Sequence, residues 1–419
     1  MLKKSINFDE VIDRKNTDCL KYDFAARRGK PENVLPLWVA DMDFKTSEKI
    51  LDAIQKRVTH GIFGYTESRE SYFEAVSSWM EEKHGWEIQR KWLVKTPGVV
   101  FALAMAVKAY SNEGDSILIQ QPVYYPFTEV IEDNNRQVVS NDLVLKSDGK
   151  YHIDFEDFEN KIVNHHIHLF LLCSPHNPVG RVWTKEELTK MGDICVKHDV
   201  IVIADEIHED FVFGTSKHSV FSNLEEYYKN ITITCTSPAK TFNLAGLQIS
   251  NIFIPNGVLR AKFKKEISAS GYSQLNTIGI TACEAAYREG QEWYKAMLHY
   301  IEENITYLRT YIQKEIPQLK MIEPEGTYLI WIDFRELGLN ESELETLIVR
   351  DANLWLDSGA VFGKAGEGFE RINVACPRQI LEQAMKHLKM LCKLVIRMTD
   401  NQFQEFNVIL IIKMIDIER

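Results

Sequence analysis

No apolar run in the 419 residues approaches the roughly 20 needed to cross a bilayer, so no membrane span is expected. The first ten residues carry Lys3 and Lys4 with no apolar core behind them, which is not the pattern of a secretory signal. Positive charge is in deficit: 49 Lys and Arg stand against 60 Asp and Glu, a net charge of −11. That balance argues against nucleic acid and anionic membrane surfaces as partners. The seven cysteines (Cys19, Cys173, Cys195, Cys235, Cys283, Cys376 and Cys392) are scattered, odd in number and without a C-x-x-C pair. They read as reduced thiols of a cytoplasmic protein, several of them small hydrophobes inside apolar strands. No internal repeat is visible. Two stretches are rich in potential metal ligands, Asn164 to His168 and Asp205 to Asp210, but neither has the helical spacing that sets two imidazoles on one face. No metal is expected, and the histidine run reads as a surface loop before a strand.

What is present is an ordinary globular composition, 45% hydrophobic and 26% charged, over a length that suggests two or three domains. Residues 1–48 read as an arm and part of a small domain. From 49 to 288 short apolar runs alternate with helical patterns. The runs are Ser116 to Ile119, Leu169 to Cys173, Val200 to Ala204, Ile231 to Cys235 and Ile249 to Ile254. Helical patterns such as Val99 to Tyr110 and Lys185 to His198 separate them. This is the rhythm of an α/β fold with a mostly parallel, doubly wound sheet, and runs apolar on both parities suit strands covered on both faces. After residue 289 the rhythm changes to a long helix, strands and shorter helices, a smaller α+β domain over 289–392. Residues 393–419 form a tail whose apolar run, Phe406 to Ile412, is too short for a span; a helix extension and a stray β segment both remain open.

In an open parallel sheet, ligands bind beyond the carboxyl ends of the strands. Four consecutive runs here end in unusual chemistry: Tyr124 after the first, Asn177 after the second, Asp205 and His208 after the third, Ser237 and Lys240 after the fourth. Each fits pyridoxal 5'-phosphate. A desolvated lysine amine forms Schiff bases with carbonyl cofactors, which is the role for Lys240. Asp205 pairs with the pyridine nitrogen and keeps the ring an electron sink. Asn177 donates to the phenolic oxygen, and Tyr124 stacks on the ring. The phosphate needs backbone N–H groups at a helix start. Gly98, Val99 and Val100 offer them, and Ser237 adds a hydroxyl. Taken singly, each residue has a plainer reading: a surface lysine, a helix cap at Asp205, a turn at Asn177-Pro178. Together at successive strand ends they favour the cofactor.

These residues carry a resemblance. The chain resembles fold-type I pyridoxal-phosphate enzymes of the class I/II aminotransferase family, and within it the MalY/PatB subgroup of cystathionine β-lyases. The matching stretches are Trp38 to Phe44, Ser174 to Trp183, Ala204 to His208, Ser237 to Asn243, and Arg371 to Asn373 before Cys376-Pro377-Arg378. The resemblance runs from about Ile6 to Leu391. It implies that Arg371 binds the substrate α-carboxylate, for which a guanidinium fork is suited. It also implies that Ala40 and Asp41 contribute to substrate binding, and that the enzyme is a homodimer in which Tyr65 reaches the partner's cofactor. Two departures from the wider family stand out. His208 replaces a common tyrosine near the phenolic oxygen, and Gln248 replaces a common phosphate-binding arginine. Both favour lyase over transaminase, and the second leaves the phosphate one cation fewer.

The expected reaction is α,β-elimination from a small sulfur amino acid such as L-cystathionine, with Lys240 as general base, releasing a thiol, pyruvate and ammonia. With cystathionine the thiol is homocysteine, a step in methionine biosynthesis. An aminotransferase on the same scaffold is the first alternative. A regulatory protein that binds a transcription factor is the second.

Overall fold

The computed structural model describes residues 6–395. The tail reading over Thr399 to Arg419 therefore lies outside the described residues. Seven strands form the main sheet: β1 (Leu93–Thr96), β2 (Ser116–Ile119), β3 (Gln137–Ser140), β4 (Leu169–Cys173), β5 (Ile201–Asp205), β6 (Thr232–Thr236) and β7 (Ser250–Phe253). Their order is β1-β7-β6-β5-β4-β2-β3. The run from β6 to β3 is parallel, whereas β7 pairs antiparallel with both β6 and β1.

The two faces of this sheet explain why its strands are apolar on both parities. Along β4, Leu169, Leu171 and Cys173 join the cluster of the helices Val99–Tyr110, Pro126–Glu132 and Gly257–Ala269. Phe170 and Leu172 join Phe158, Ile162, Leu188 and Met191 on the opposite face, from the helices Phe155–Asn164 and Lys185–Lys197. The latter helix starts on a capping box, Thr184 with Glu187, which satisfies N–H groups that no helical carbonyl reaches.

Four strands form a second, antiparallel sheet: β8 (Lys320–Met321), β9 (Leu329–Asp333), β10 (Asp357–Ser358) and β11 (Phe369–Asn373), in the order β8-β9-β11-β10. Its Leu329, Ile330, Ile332 and Ile372 pack with residues of the helices Gln291–Glu315 and 378–395. The N-terminal segment joins this part of the molecule, because Leu35–Pro36 pairs in parallel with Leu354–Trp355. No helix among the described residues is long and apolar enough to cross a membrane.

The expected elements differ from the observed ones in particulars. The third run lies one residue later than expected, so Asp205 closes β5 rather than following it. The fifth run is antiparallel, so the parallel set ends at β6. β1 and β3 carry too few apolar residues in a row to stand out: β1 alternates half-buried and buried positions, and β3 is an edge strand with one buried residue.

The chain after Lys240 is pinned by the helix Thr277–Glu289. A Cβ at Gly279 would lie 2.5 Å from the Leu247 carbonyl oxygen and 3.4 Å from Ile249 Cβ. Gly279→Ala is expected to lower stability by about 1–3 kcal/mol, because backbone must move to admit the methyl group. Urea unfolding of the variant checks this; an unchanged midpoint would show that the contact yields freely.

Candidate active site

The carboxyl edge of β2, β4, β5 and β6 opens into a cavity of about 190 Å³. Ten of the thirteen residues singled out in the sequence line it: Ala40, Gly98, Val99, Val100, Tyr124, Asn177, Asp205, His208, Ser237 and Lys240. Each arrives by its own local route. Asp205 is the last residue of β5 and turns the chain by accepting the Ile207 N–H at 3.2 Å. Ser237 caps the short helix Pro238–Thr241, accepting the Ala239 N–H at 3.0 Å and donating to the Ile249 carbonyl at 2.7 Å. That turn projects Lys240 across the cavity, where its Nζ donates to the Ala40 carbonyl at 2.6 Å. Tyr124 and Asn177 are joined through backbone, Tyr124 N–H to the Asn177 carbonyl at 3.0 Å.

Burial sets the electrostatics. It lowers the Lys240 amine from an ordinary 10.5 to about 8; the Arg371 guanidinium acts in the same direction, and Asp41 and Asp205 oppose it. Burial raises the Asp205 carboxyl to about 7, against the Ile207 N–H and the Lys240 charge. Burial, with the Lys240 and Arg371 charges, pushes His208 well below its usual range, so its imidazole is neutral at physiological pH. Burial likewise raises the Tyr124 phenol, which stays protonated.

Three predicted residues stand outside the cavity lining. Arg371, 2% exposed, sits one hydrogen bond behind it. Its Nη1 donates to Asn177 Oδ1 at 3.0 Å, and its Nη2 donates to the Trp38 carbonyl at 2.8 Å and to the Asp357 carboxylate. The Asp41 carboxylate turns away to Arg14, 2.6 Å distant. Tyr65 is 96% exposed in a chain considered by itself. Gln248 is also exposed, with a left-handed backbone (φ 52°).

The acid-rich turn divides by direction. Asp205 and His208 face the cavity. Glu206 pairs with His218 at 3.1 Å and Asp210 with His84 at 3.0 Å, on the far side. Asp210 also accepts from Thr241, next to Lys240, at 2.6 Å.

Sequence reasoning missed several residues that hold the site. Tyr328 donates its hydroxyl to the same Ala40 carbonyl that Lys240 uses, at 2.9 Å. Lys21, fully buried, pairs with Asp43 at 2.7 Å. Asn243 and Asn373 donate to the carbonyls of Val39, Asp41, Met42 and Phe44. A signal was present for the asparagines, both inside the matching stretches. The pairing of Lys21 with Asp43 spans the arm and was not legible.

The donor set fits pyridoxal phosphate. Gly98 leaves no side chain over the start of the helix Val99–Tyr110, nothing lies within 4 Å where a Cβ would stand, and no side chain caps that end. That is an open anion cradle. Asn177 Oδ1 is engaged by Arg371, which leaves its NH₂ as the donor end. Asp205 is a buried carboxyl at one wall and Lys240 a desolvated amine at another. His208 Nδ1 is buried with no hydrogen-bond partner among the described residues.

Comparison with known proteins agrees with this chemistry. A family model described as aminotransferase class I and II matches residues 32–388. Cystathionine beta-lyase PatB of Bacillus subtilis (strain 168) is 41% identical over 384 residues, spanning 92% of this chain and 99% of that protein. Protein MalY of Escherichia coli (strain K12) is 32% identical over 384 residues, spanning 91% and 97%. The crystal structure of cystalysin from Treponema denticola, which contains a pyridoxal 5'-phosphate cofactor, matches with a TM-score of 0.89 at 38% identity, covering 92% of this chain and 98% of that one.

The lowered Lys240 pKa gives a direct test. An amine acylates only when deprotonated, so in cofactor-free protein Lys240 should react with acetic anhydride with a midpoint near pH 8, while exposed lysines titrate about two units higher. Peptide mass spectrometry across pH reads this. In Arg371→Ala the midpoint should move up, because a neighbouring positive charge is gone; an ordinary midpoint in the unmodified chain would refute the desolvated amine.

Proposed function

This chain belongs to the class I and II aminotransferase family, and on that premise we propose that it is a pyridoxal-phosphate-dependent carbon–sulfur β-lyase acting on L-cystathionine and related S-substituted cysteines. The observation that carries the reading is the placement of Lys240 in one cavity with Asp205 and Asn177, with Arg371 hydrogen-bonded to Asn177 behind it; burial lowers the Lys240 amine to about 8. The name of the PatB relative, a cystathionine beta-lyase, supports the substrate class.

Asp205, Asn177, Tyr124, His208, Ser237 and the Gly98–Val100 helix start would hold the cofactor. Once bound, pyridoxal phosphate supplies the electron sink that makes the substrate Cα–H acidic. The chain's own residues do the rest. Arg371 takes the α-carboxylate, and Ala40 and Asp41 bound the same end of the substrate. Lys240 Nζ removes the Cα proton; an amine near 8 is well matched to that task at neutral pH. Asp205, lifted to about 7, shares a proton readily with a basic ring nitrogen. His208 is neutral and adds no charge beside Lys240. The sulfur leaves from Cβ as a thiolate, and addition of water gives pyruvate and ammonia; with cystathionine the thiol is homocysteine, which suits methionine biosynthesis. The chain acts as a cytoplasmic homodimer with a large domain over 49–288 and a small one over 289–392. The exposed Tyr65 ring reaches the partner's cofactor.

The test is a product assay on cofactor-saturated protein with L-cystathionine and no keto acid. Free thiol and pyruvate should appear in equal amounts, and Lys240→Ala should lower the rate by at least about 10²-fold. Amino transfer that requires a keto-acid acceptor, with no thiol released, would make the protein an aminotransferase instead.

A further inference from the structure

Three basic side chains of the N-terminal arm are neutralised by carboxylates. Arg14 pairs with Asp41 and Asp43, Lys21 with Asp43, and Lys30 with Glu345. Arg28 is different. Its side chain is exposed and has no ion pair or hydrogen bond among the described residues. It is nevertheless placed, because its guanidinium carbon lies 5.7 Å from the centre of the Trp38 ring. A tight turn fixes its backbone: Ala26–Arg28 closes on Gly29, whose left-handed conformation (φ 71°) lets its N–H reach the Ala26 carbonyl.

Trp38 is no bystander. It also packs with Ala25, Val34 and a stacked Trp355 at 4.4 Å, and its carbonyl accepts from Arg371. Across the same rim, Tyr125 follows the cavity residue Tyr124 and meets the Phe362 ring, over which Arg371 lies at 4.8 Å. Burial raises the Tyr125 phenol, the Asp357 and Glu129 charges add to this, and Arg371 and Arg28 act on it in the opposite sense, so the two guanidinium groups are within electrostatic reach of one ring. One is deep and hydrogen-bonded; the other is at the surface and unpaired. Asp357 already pairs with the deep one, so the exposed guanidinium is the one left without a carboxylate at this rim.

We propose that Arg28 is a specificity-determining residue that recognises a second carboxylate, carried at the far end of the sulfur substituent. The substrates favoured are then S-substituted cysteines whose substituent ends in a carboxylate. The proposal rests on the β-lyase reading, since it concerns the group that leaves with sulfur. Trp38 supplies the physical reason for arginine here: a guanidinium laid on an aromatic face keeps its orientation while its N–H fork remains free for an anion. Because Arg28 is exposed, the attraction is modest and screened by salt.

The experiment compares two substrates of equal size, S-(2-carboxyethyl)-L-cysteine and its neutral amide, S-(2-carbamoylethyl)-L-cysteine, on cofactor-loaded protein. The ratio of their kcat/KM values should favour the acid, and Arg28→Gln should lower that ratio on the order of fivefold through KM, with Arg28→Lys keeping most of it. Raising the salt concentration should lower the ratio in the unmodified chain and leave it flat in Arg28→Gln. Where neither compound is turned over, the same ratio is read from their equilibrium binding by calorimetry. Elimination of neither compound would therefore overturn the lyase reading without deciding this one. Equal acid-to-amide ratios in the unmodified chain and Arg28→Gln, in turnover or in binding, would overturn the role of Arg28.

Discussion

The desolvation of one amine shapes the rest of the molecule. Lys240 is part-buried at the carboxyl edge of the main sheet, just past the fully buried β6, so its charge is poorly solvated. The neighbouring Arg371 makes the charged form less favourable still. Asp41 and Asp205 favour its charge, and its hydrogen-bond acceptor among the described residues is the Ala40 carbonyl, shared with the Tyr328 hydroxyl. Lys240 follows a strand of the main sheet, Tyr328 immediately precedes a strand of the second sheet, and Ala40 belongs to the N-terminal segment. One carbonyl oxygen thus joins three parts of the chain at the point where the chemistry is expected.

The segment Trp38 to Phe44 is accordingly held from every side. Asn243 reaches it from just beyond Lys240, and Asn373 from β11. Arg14 and the fully buried Lys21 hold Asp41 and Asp43. A buried ion pair of this kind is a poor source of net stability, because both charges lose water, but removing either partner alone costs about 3–5 kcal/mol. The arm and the segment are joined at that pair.

A second set of charges anchors the cavity from behind. The turn after β5 alternates its side chains, Asp205 and His208 inward, Glu206 and Asp210 outward to His218 and His84. Trp79 donates to Asp210 as well, and Thr241 ties Asp210 to the helix that carries Lys240. The carboxyl and the amine proposed to face the cofactor from two walls are thereby coupled through one buried aspartate that touches neither.

The sequence by itself determined the strand runs, the residue types at their carboxyl ends, and nine residues that line one cavity, to which resemblance added Ala40. It did so because strands buried on both faces must be continuously apolar, and because breaks in such runs are where polar chemistry can stand. Resemblance added Arg371, whose place in β11 no periodicity distinguishes from that of a surface charge. Tertiary structure alone decided which strands ran parallel, since β7 is as apolar as its neighbours yet antiparallel to β6. It alone decided that Asp41 faces Arg14, that Asp357 accompanies Arg371, and that Tyr328 and Lys240 converge on one carbonyl. Those pairings join residues between 14 and 288 positions apart, and local sequence carries no record of which distant charge or donor the folded chain will bring to meet another.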